Sequence, residues 1–216
     1  LKAPRQYYYG SYTTTRAKQQ DAIDRQFGFV EKRELLATLP EEATQAIVFA
    51  LVALRHYEWG ANMNNCFIAA YGWGTTITQA AIMATTDRLG LAQHLSRIGL
   101  LTDGKTGRSL DAAKQHWLQA PAWQGIRQAV ETLFVTRDWF ELMVAQNLVA
   151  DGLIYPLFYQ HFDQHFCQQH GSALASLPDY SSNWHKESSR WVDAVLKAAT
   201  SESEANQTLI NQWVAH

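Results

Sequence analysis

The sequence predicts an all-α helical bundle, and three observations carry that prediction. Apolar residues recur at alternating spacings of three and four along most of the 216 residues, the period of one helix face. No segment gives a convincing period-two alternation of a half-buried strand, and no short-period repeat appears. The breaks between periodic stretches carry proline and glycine, the residues that punctuate helices.

The elements follow in order. Pro4 sits where a first helical turn tolerates proline, and a long segment runs from there to about Leu39. In "TLPEE", Thr38 or Leu39 precedes Pro40, and two acids complement the positive end of a new helix that reaches about Ala70. "YGWG", Tyr71–Gly74, breaks it. A third helix covers Thr75 to Leu101 and ends at "DGKTG". Shorter helices cover Ser109–Gln119 and Trp123–Val135, separated by Pro121. A long helix starts near Arg137 and reaches about His170, with a kink expected at Pro156. Gly171, Pro178 and "YSSN" mark a junction, and the last helices cover roughly Asn183–Thr200 and Glu202–His216.

Composition narrows the function. A hydrophobic content of 47% supports one substantial core, in one large domain or two small ones. A net charge of −2 and the lack of a basic patch argue against a nucleic-acid partner. The longest apolar run, "AIVFALVAL" (Ala46–Leu54), is far short of the about 20 residues that span a bilayer, and the start shows no leader pattern. Cys66 and Cys167 have no metal or redox spacing, so a reducing cytoplasm is expected. The chain begins with leucine, as a portion of a longer protein would. Eight Trp, nine Tyr and nine Phe imply large packed surfaces, internal or shared with a partner.

Isolated charges stand inside otherwise apolar faces. The second helix reads Ile47, Leu51, Leu54, Glu58, Ala61, and the all-apolar run before Glu58 makes that helix central. The third reads Ile77, Ala81, Ala84, Arg88, Leu91, Leu95, Ile98. The long helix reads Val144, Leu148, Asp151, Tyr155, Phe158, Phe162, and a later one Trp184, Ser188, Trp191, Val195. Burying a lone charge costs on the order of several kcal/mol unless an opposite charge compensates it. Glu58 and Arg88 are therefore expected to meet in the core, with Asp151 a candidate third member. The alternative is a rotated helix whose charge reaches solvent.

Other patterns weigh less. "GLLTDGKT" (Gly99–Thr106) fits the phosphate-binding loop G-x-x-x-x-G-K-T, but a helix precedes it where that loop needs a strand, which argues against the alternative of a small NTPase. His161 and His165 stand at i, i+4 with His170 beyond, yet no third zinc ligand is evident. "NQT" at Asn206 fits a glycosylation acceptor without other signs of secretion. "GANMNNC" (Gly60–Cys66) is compatible with close helix approach or with a partner contact.

Six blocks carry a family resemblance: "RQYYYGSY" (Arg5–Tyr12), "FGFVEKRELL" (Phe27–Leu36), "LRHYEWGANMNN" (Leu54–Asn65), "DRLGLAQHLSRIGLL" (Asp87–Leu101), "RDWFELMVAQNLVADGL" (Arg137–Leu153) and "SRWVDAVLK" (Ser189–Lys197). In order, and over essentially the whole chain, they resemble the β subunit of bacterial multicomponent phenol hydroxylases, with toluene monooxygenase β subunits as close relatives. The resemblance implies a ferritin-like bundle, residues 1–216 forming a single helical domain from the central portion of a longer β subunit. It implies a hydroxylase with two copies each of α, β and γ. A diiron centre in α would hydroxylate phenol or a related aromatic using O₂. The implied companions are a regulatory protein and an NADH-dependent reductase carrying FAD and Fe–S. No cofactor is implied for this chain.

A diiron site of that type takes a Glu from each of two helices and a Glu-x-x-His from each of two others. Carboxylate oxygens bridge the irons and imidazoles complete the coordination. This sequence contains no Glu-x-x-His. The family pattern resembling D-E-x-R-H-x-Q falls on "DRLGLAQ", which puts Arg88 and Leu91 at ligand positions. The pattern resembling D-E-S-R-H falls on "ESSRW", which puts Ser188 and Trp191 there. Glu58 stands at the first carboxylate position and Asp151 at that of the long helix. The implied reading is a vestigial metal site. Arg88 neutralises the remaining carboxylates, and Leu91 and Trp191 fill the volume of the imidazoles and metal. The competing class is a self-contained enzyme with a cofactor in the bundle.

Overall fold

The backbone is helical over most of the stretches with helical periodicity, in a computed structural model that describes residues 5–215; Pro4 and the terminal His216 lie outside the described residues. Helix α1 (Tyr9–Lys32) ends earlier than the periodicity predicts. Glu34 turns left-handed at φ 51°, the Leu35 N–H donates to the Val30 carbonyl at 3.1 Å, and Leu36 turns into the core. No glycine marks that turn, which is why the sequence pattern runs past it.

Pro40 then caps α2, which runs from Glu41–Ile47 through a widened turn at Val48–Val52 into Ala53–Tyr71 with right-handed helical backbone throughout. The turn Gly72–Gly74, closed by Gly74 at φ 91°, reverses the chain into α3 (Thr75–Thr102). Glu58 meets Arg88 and Asn62 meets Thr85, so α2 and α3 are antiparallel arms of one hairpin.

Helices α4 (Arg108–Gln119) and α5 (Pro121–Leu133) follow, and Pro121 occupies the first turn of α5, where a missing N–H costs nothing. At Gly60 of α2 an added Cβ would stand 2.5 Å from Val130 Cγ1 of α5, so glycine is what lets these helices touch. Asp138 caps α6 by accepting from the Phe140 and Glu141 N–H groups at 2.8 and 3.2 Å. That helix comprises Trp139–Met143, a widened turn at Val144–Ala150, Asp151–Pro156, a second widened turn at Leu157–Phe162, and Asp163–His170. Pro156 keeps helical dihedrals, and the loosened turn after it absorbs the missing donor. Gly171 at φ 80° ends α6, and α7 (Asp179–Glu202) and α8 (Glu204–Ala215) complete the chain.

The described residues contain no strand, and none of their helices is long and apolar enough to cross a membrane. Two apolar clusters form the core. The larger includes Phe27, Leu54, Leu91, Trp123, Tyr155 and Trp184. The smaller includes Ile68, Ala81, Met143, Trp191 and Val195.

Candidate functional site

The charges that stand alone in the sequence converge where α2, α3, α6 and α7 face one another. Arg88 is fully buried, as are Glu58 and Asp151. Its Nη1 donates to Glu58 Oε2 at 2.8 Å and to the Tyr155 hydroxyl at 3.1 Å, and its Nη2 donates to Asp151 Oδ2. The Tyr155 hydroxyl donates in turn to Glu58 Oε1 at 2.8 Å, so both oxygens of Glu58 accept a hydrogen bond. The Tyr57 hydroxyl donates to Asp151 Oδ1 at 2.6 Å. The guanidinium lies 4.6 Å from the ring centre of Trp184 on α7 and 5.5 Å from that of Tyr155.

The network continues through Gln146 and Asn147, which the sequence pattern does not single out, and through Asn64 and Asn65 of "GANMNNC". Gln146 Nε2 donates to the Tyr57 hydroxyl at 3.0 Å and to Asp151 Oδ1 at 3.2 Å, and its oxygen accepts from Asn64 at 2.8 Å. Asn65 and Asn147 exchange two bonds of 3.2 Å. Helical spacing puts Leu148 on the buried face, yet Leu148 is half-buried while Gln146 and Asn147 are buried. The widened turn at Val144–Ala150 rotates the helix surface there, and a regular 3.6-residue period cannot show this.

A second ionic cluster adjoins the first. Asp87 accepts from Arg16 Nε and Nη2 at 2.9 and 2.7 Å, from the Tyr12 hydroxyl at 2.8 Å and from Trp184 Nε1 at 2.8 Å. Arg16 also holds Glu187 on α7 at 2.8 Å, and Arg5 reaches the same carboxylate at 3.3 Å. Trp184 joins the clusters: its N–H serves Asp87 and its ring covers Arg88.

Electrostatics follow the geometry. Burial pushes the Glu58 carboxyl up, and the charge and hydrogen bond of Arg88 oppose that rise. Burial works against the Arg88 charge, but Asp151, Tyr155 and Glu58 outweigh it and hold the guanidinium above its ordinary range. Burial raises the Tyr57 and Tyr155 hydroxyls well above the usual phenol range. His185, stacked on Tyr155 at 4.6 Å, is lowered by burial, with Arg88 adding to the effect and Asp151 opposing it. The site is therefore one cation set between two carboxyl groups, with tyrosine hydroxyls donating to both.

The remaining positions separate. Leu91 lies in the larger cluster with Tyr155 and Trp184. Ser188 is buried. Trp191 packs in the smaller cluster with Ile68 and Met143, under the Arg5 guanidinium at 5.7 Å. Leu91 and Trp191 thus lie in different apolar clusters, and the rings over Arg88 are Trp184 and Tyr155, with Trp191 two turns further along α7 than Trp184. The donor set does not fit a diiron centre, since guanidinium nitrogens occupy the space between Glu58 and Asp151, and Leu91 offers no ligand atom. Among the described residues no three His, Cys, Asp or Glu side chains gather as a metal site requires.

The secondary motifs also have places. Gly99–Thr102 closes α3, Lys105 is paired with Glu31, and no strand precedes the loop, so the phosphate-binding pattern is a helix-ending turn. Gly60 serves close packing, and Asn62, Asn64 and Asn65 bond within the chain, so most of "GANMNNC" is internal.

Comparison with known proteins agrees with this architecture. The sequence matches the methane/phenol/alkene hydroxylase family over residues 1–203. It is 52% identical over 211 residues to the phenol 2-monooxygenase oxygenase component DmpL of Pseudomonas sp. (strain CF600), covering 98% of this chain and 64% of that protein. It is 24% identical over 213 residues to the hydroxylase component subunit beta of the toluene-4-monooxygenase system of Ectopseudomonas mendocina, covering 98% of this chain and 65% of that one. The fold superposes on the crystal structure of xenon-pressurized phenol hydroxylase from Pseudomonas sp. OX1 with a TM-score of 0.98 and 45% identity, covering 100% of this chain and 66% of that chain. The chain thus spans just under two thirds of the length of these relatives. The bundle is of the ferritin-like type, as the sequence blocks imply. On the match across residues 1–203, the chain belongs to the methane/phenol/alkene hydroxylase family.

Proposed function

We propose that this chain is a single helical domain of the structural, non-catalytic β subunit of a multicomponent phenol hydroxylase, working in the cytoplasm. In that assembly an α subunit holds the diiron centre and hydroxylates phenol or a related aromatic with O₂. A γ subunit, a regulatory protein and a reductase with FAD and Fe–S complete the system, with two copies each of α, β and γ in the hydroxylase. The observation that carries the reading is the Arg88 guanidinium bonded to both Glu58 and Asp151 at the centre of the bundle. Glu58, Arg88, Leu91, Asp151, Ser188 and Trp191 are then the positions of a vestigial metal site. A cation fixed by covalent tether replaces a bound metal as the group that keeps two buried carboxylates from repelling each other. The resemblance to oxygenase components of phenol 2-monooxygenases supports the choice of phenol over toluene.

The test is co-expression of the full-length subunit with and without the large subunit, followed by elemental analysis and phenol turnover. Iron and turnover should follow the large subunit, with no stoichiometric iron in this chain alone. Two irons per chain in the isolated protein would overturn the reading.

A further inference from the structure

Helix α6 does not keep the period of a regular helix. Met143, Asn147, Asp151, Tyr155 and Tyr159 follow at every fourth position, and all are buried. Over that span a regular helix makes four full turns and about 160° more, which would point Met143 and Tyr159 in nearly opposite directions. The outer line behaves alike: Leu153, Leu157 and His161 also follow at every fourth position, and all are exposed. Both lines stay straight because the widened turns Val144–Ala150 and Leu157–Phe162 flank the regular segment Asp151–Pro156. A widened turn of this kind holds an extra residue inside an otherwise regular helix.

Apolar burial alone would choose a different register. The observed one puts Asp151 and the Tyr155 hydroxyl in the core and leaves Leu153 68% and Leu157 49% exposed. Moved on by one residue, the same segment would set Ala150, Leu153, Ile154 and Leu157 where Asp151, Ile154, Tyr155 and Phe158 now stand. That inner face has no polar group, and Asp151 would take the exposed place of Gly152. A buried carboxylate beside two exposed leucines is the reverse of ordinary helix amphipathicity. The polar partners separate the two registers: Arg88 and Tyr57 bond Asp151, and Glu58 bonds Tyr155, only in the observed one. The bonds of Gln146 and Asn147 to Asn64 and Asn65 lie upstream of the segment. Fixing helix register is the best-attested use of buried polar groups.

We propose that the Glu58–Arg88–Asp151 cluster is a register latch. It holds the extra residue inside the Val144–Ala150 turn. Without it that turn closes, the segment Asp151–Leu157 advances by one residue, and the second widened turn takes up the displaced one. Helix α6 is thus a two-position element, and charge rather than apolar packing selects its position.

The test is a crystal structure of the full-length subunit carrying Glu58→Leu and Arg88→Met. The expected result is Ala150 facing residue 88, Asp151 at the former place of Gly152, and Leu153 turned inward. Asp151 still facing residue 88, with the Val144–Ala150 turn still widened, would overturn the proposal. A second experiment deletes Val149 from the wild-type chain. Removing the extra residue should close the turn with Asp151 still bonded to Arg88, so the melting temperature should stay within about 5 °C of wild type. Deleting Gly90 from the regular helix α3, as a control, should lower it by more than about 15 °C. A Val149 deletion as damaging as the control would equally overturn the proposal, and it decides alone if the double variant does not fold.

Discussion

Replacing Arg88 with methionine keeps most of the side-chain volume and removes the cation between Glu58 and Asp151. All three groups are buried, so no solvent takes over its role. Removing one partner of a buried ion pair typically costs about 3–5 kcal/mol, because an uncompensated charge stays behind. The lost contact with the Trp184 ring at 4.6 Å adds to this, at about 0.5–2 kcal/mol. A loss of that size lowers the melting temperature by roughly 10–20 °C in a domain of this length. The pH dependence is the sharper signature. Burial already raises the Glu58 carboxyl and Arg88 opposes it, so the variant raises it further. A carboxyl raised in the folded state contributes stability below its unfolded value, and that contribution is lost as pH rises through the folded value. The deficit of the variant should therefore be largest on the alkaline side and shrink on acidification toward the unfolded glutamate value of about 4.3, by at most about 1.4 kcal/mol per pH unit. Urea denaturation across that range measures it. The triple variant Arg88→Met, Glu58→Gln, Asp151→Asn should recover much of the loss. A deficit below about 1 kcal/mol, or one independent of pH, would refute the view that Arg88 is the compensating charge.

Gly60→Ala should lower the melting temperature by several degrees, because forcing Val130 aside costs about 1–3 kcal/mol and outweighs the about 1 kcal/mol that alanine gains in a helix; adding Val130→Ala should restore part of it. Burial alone would raise the Glu187 carboxyl, but the hydrogen bonds and charge of Arg16, with Arg5, hold it below the usual range. Its stabilisation is therefore present above the unfolded carboxylate value and lost as pH falls through the folded one, so Glu187→Gln should melt below wild type near neutrality and converge with it below about pH 4. Isolated chain purified from iron-supplemented cells should show no stoichiometric iron by elemental analysis, as the proposed function requires.

Much of this was readable in advance because helix periodicity survives in a single sequence. The three charges on apolar faces pointed to one another, since an isolated buried charge is too costly to leave unpaired. Other parts had no local signal. The turn at Glu34 ends α1 without a glycine, and the widened turn at Val144–Ala150 turns Gln146 and Asn147 inward against the regular period. Asp87 shares its helix with Arg88 and is spent on Arg16 and Trp184, groups from helices far away in the chain.

The sequence by itself determined the helical class, the order of helices and the lack of any Glu-x-x-His pair, because each depends on residue type at fixed local spacing. Tertiary structure alone decided that Trp184 and Tyr155, not Trp191, cover the Arg88 guanidinium, and that an amide chain extends the cluster to Asn64. Those outcomes depend on how each helix is rotated against its neighbours. That rotation comes from packing across the whole bundle and from the widened turns that shift its phase.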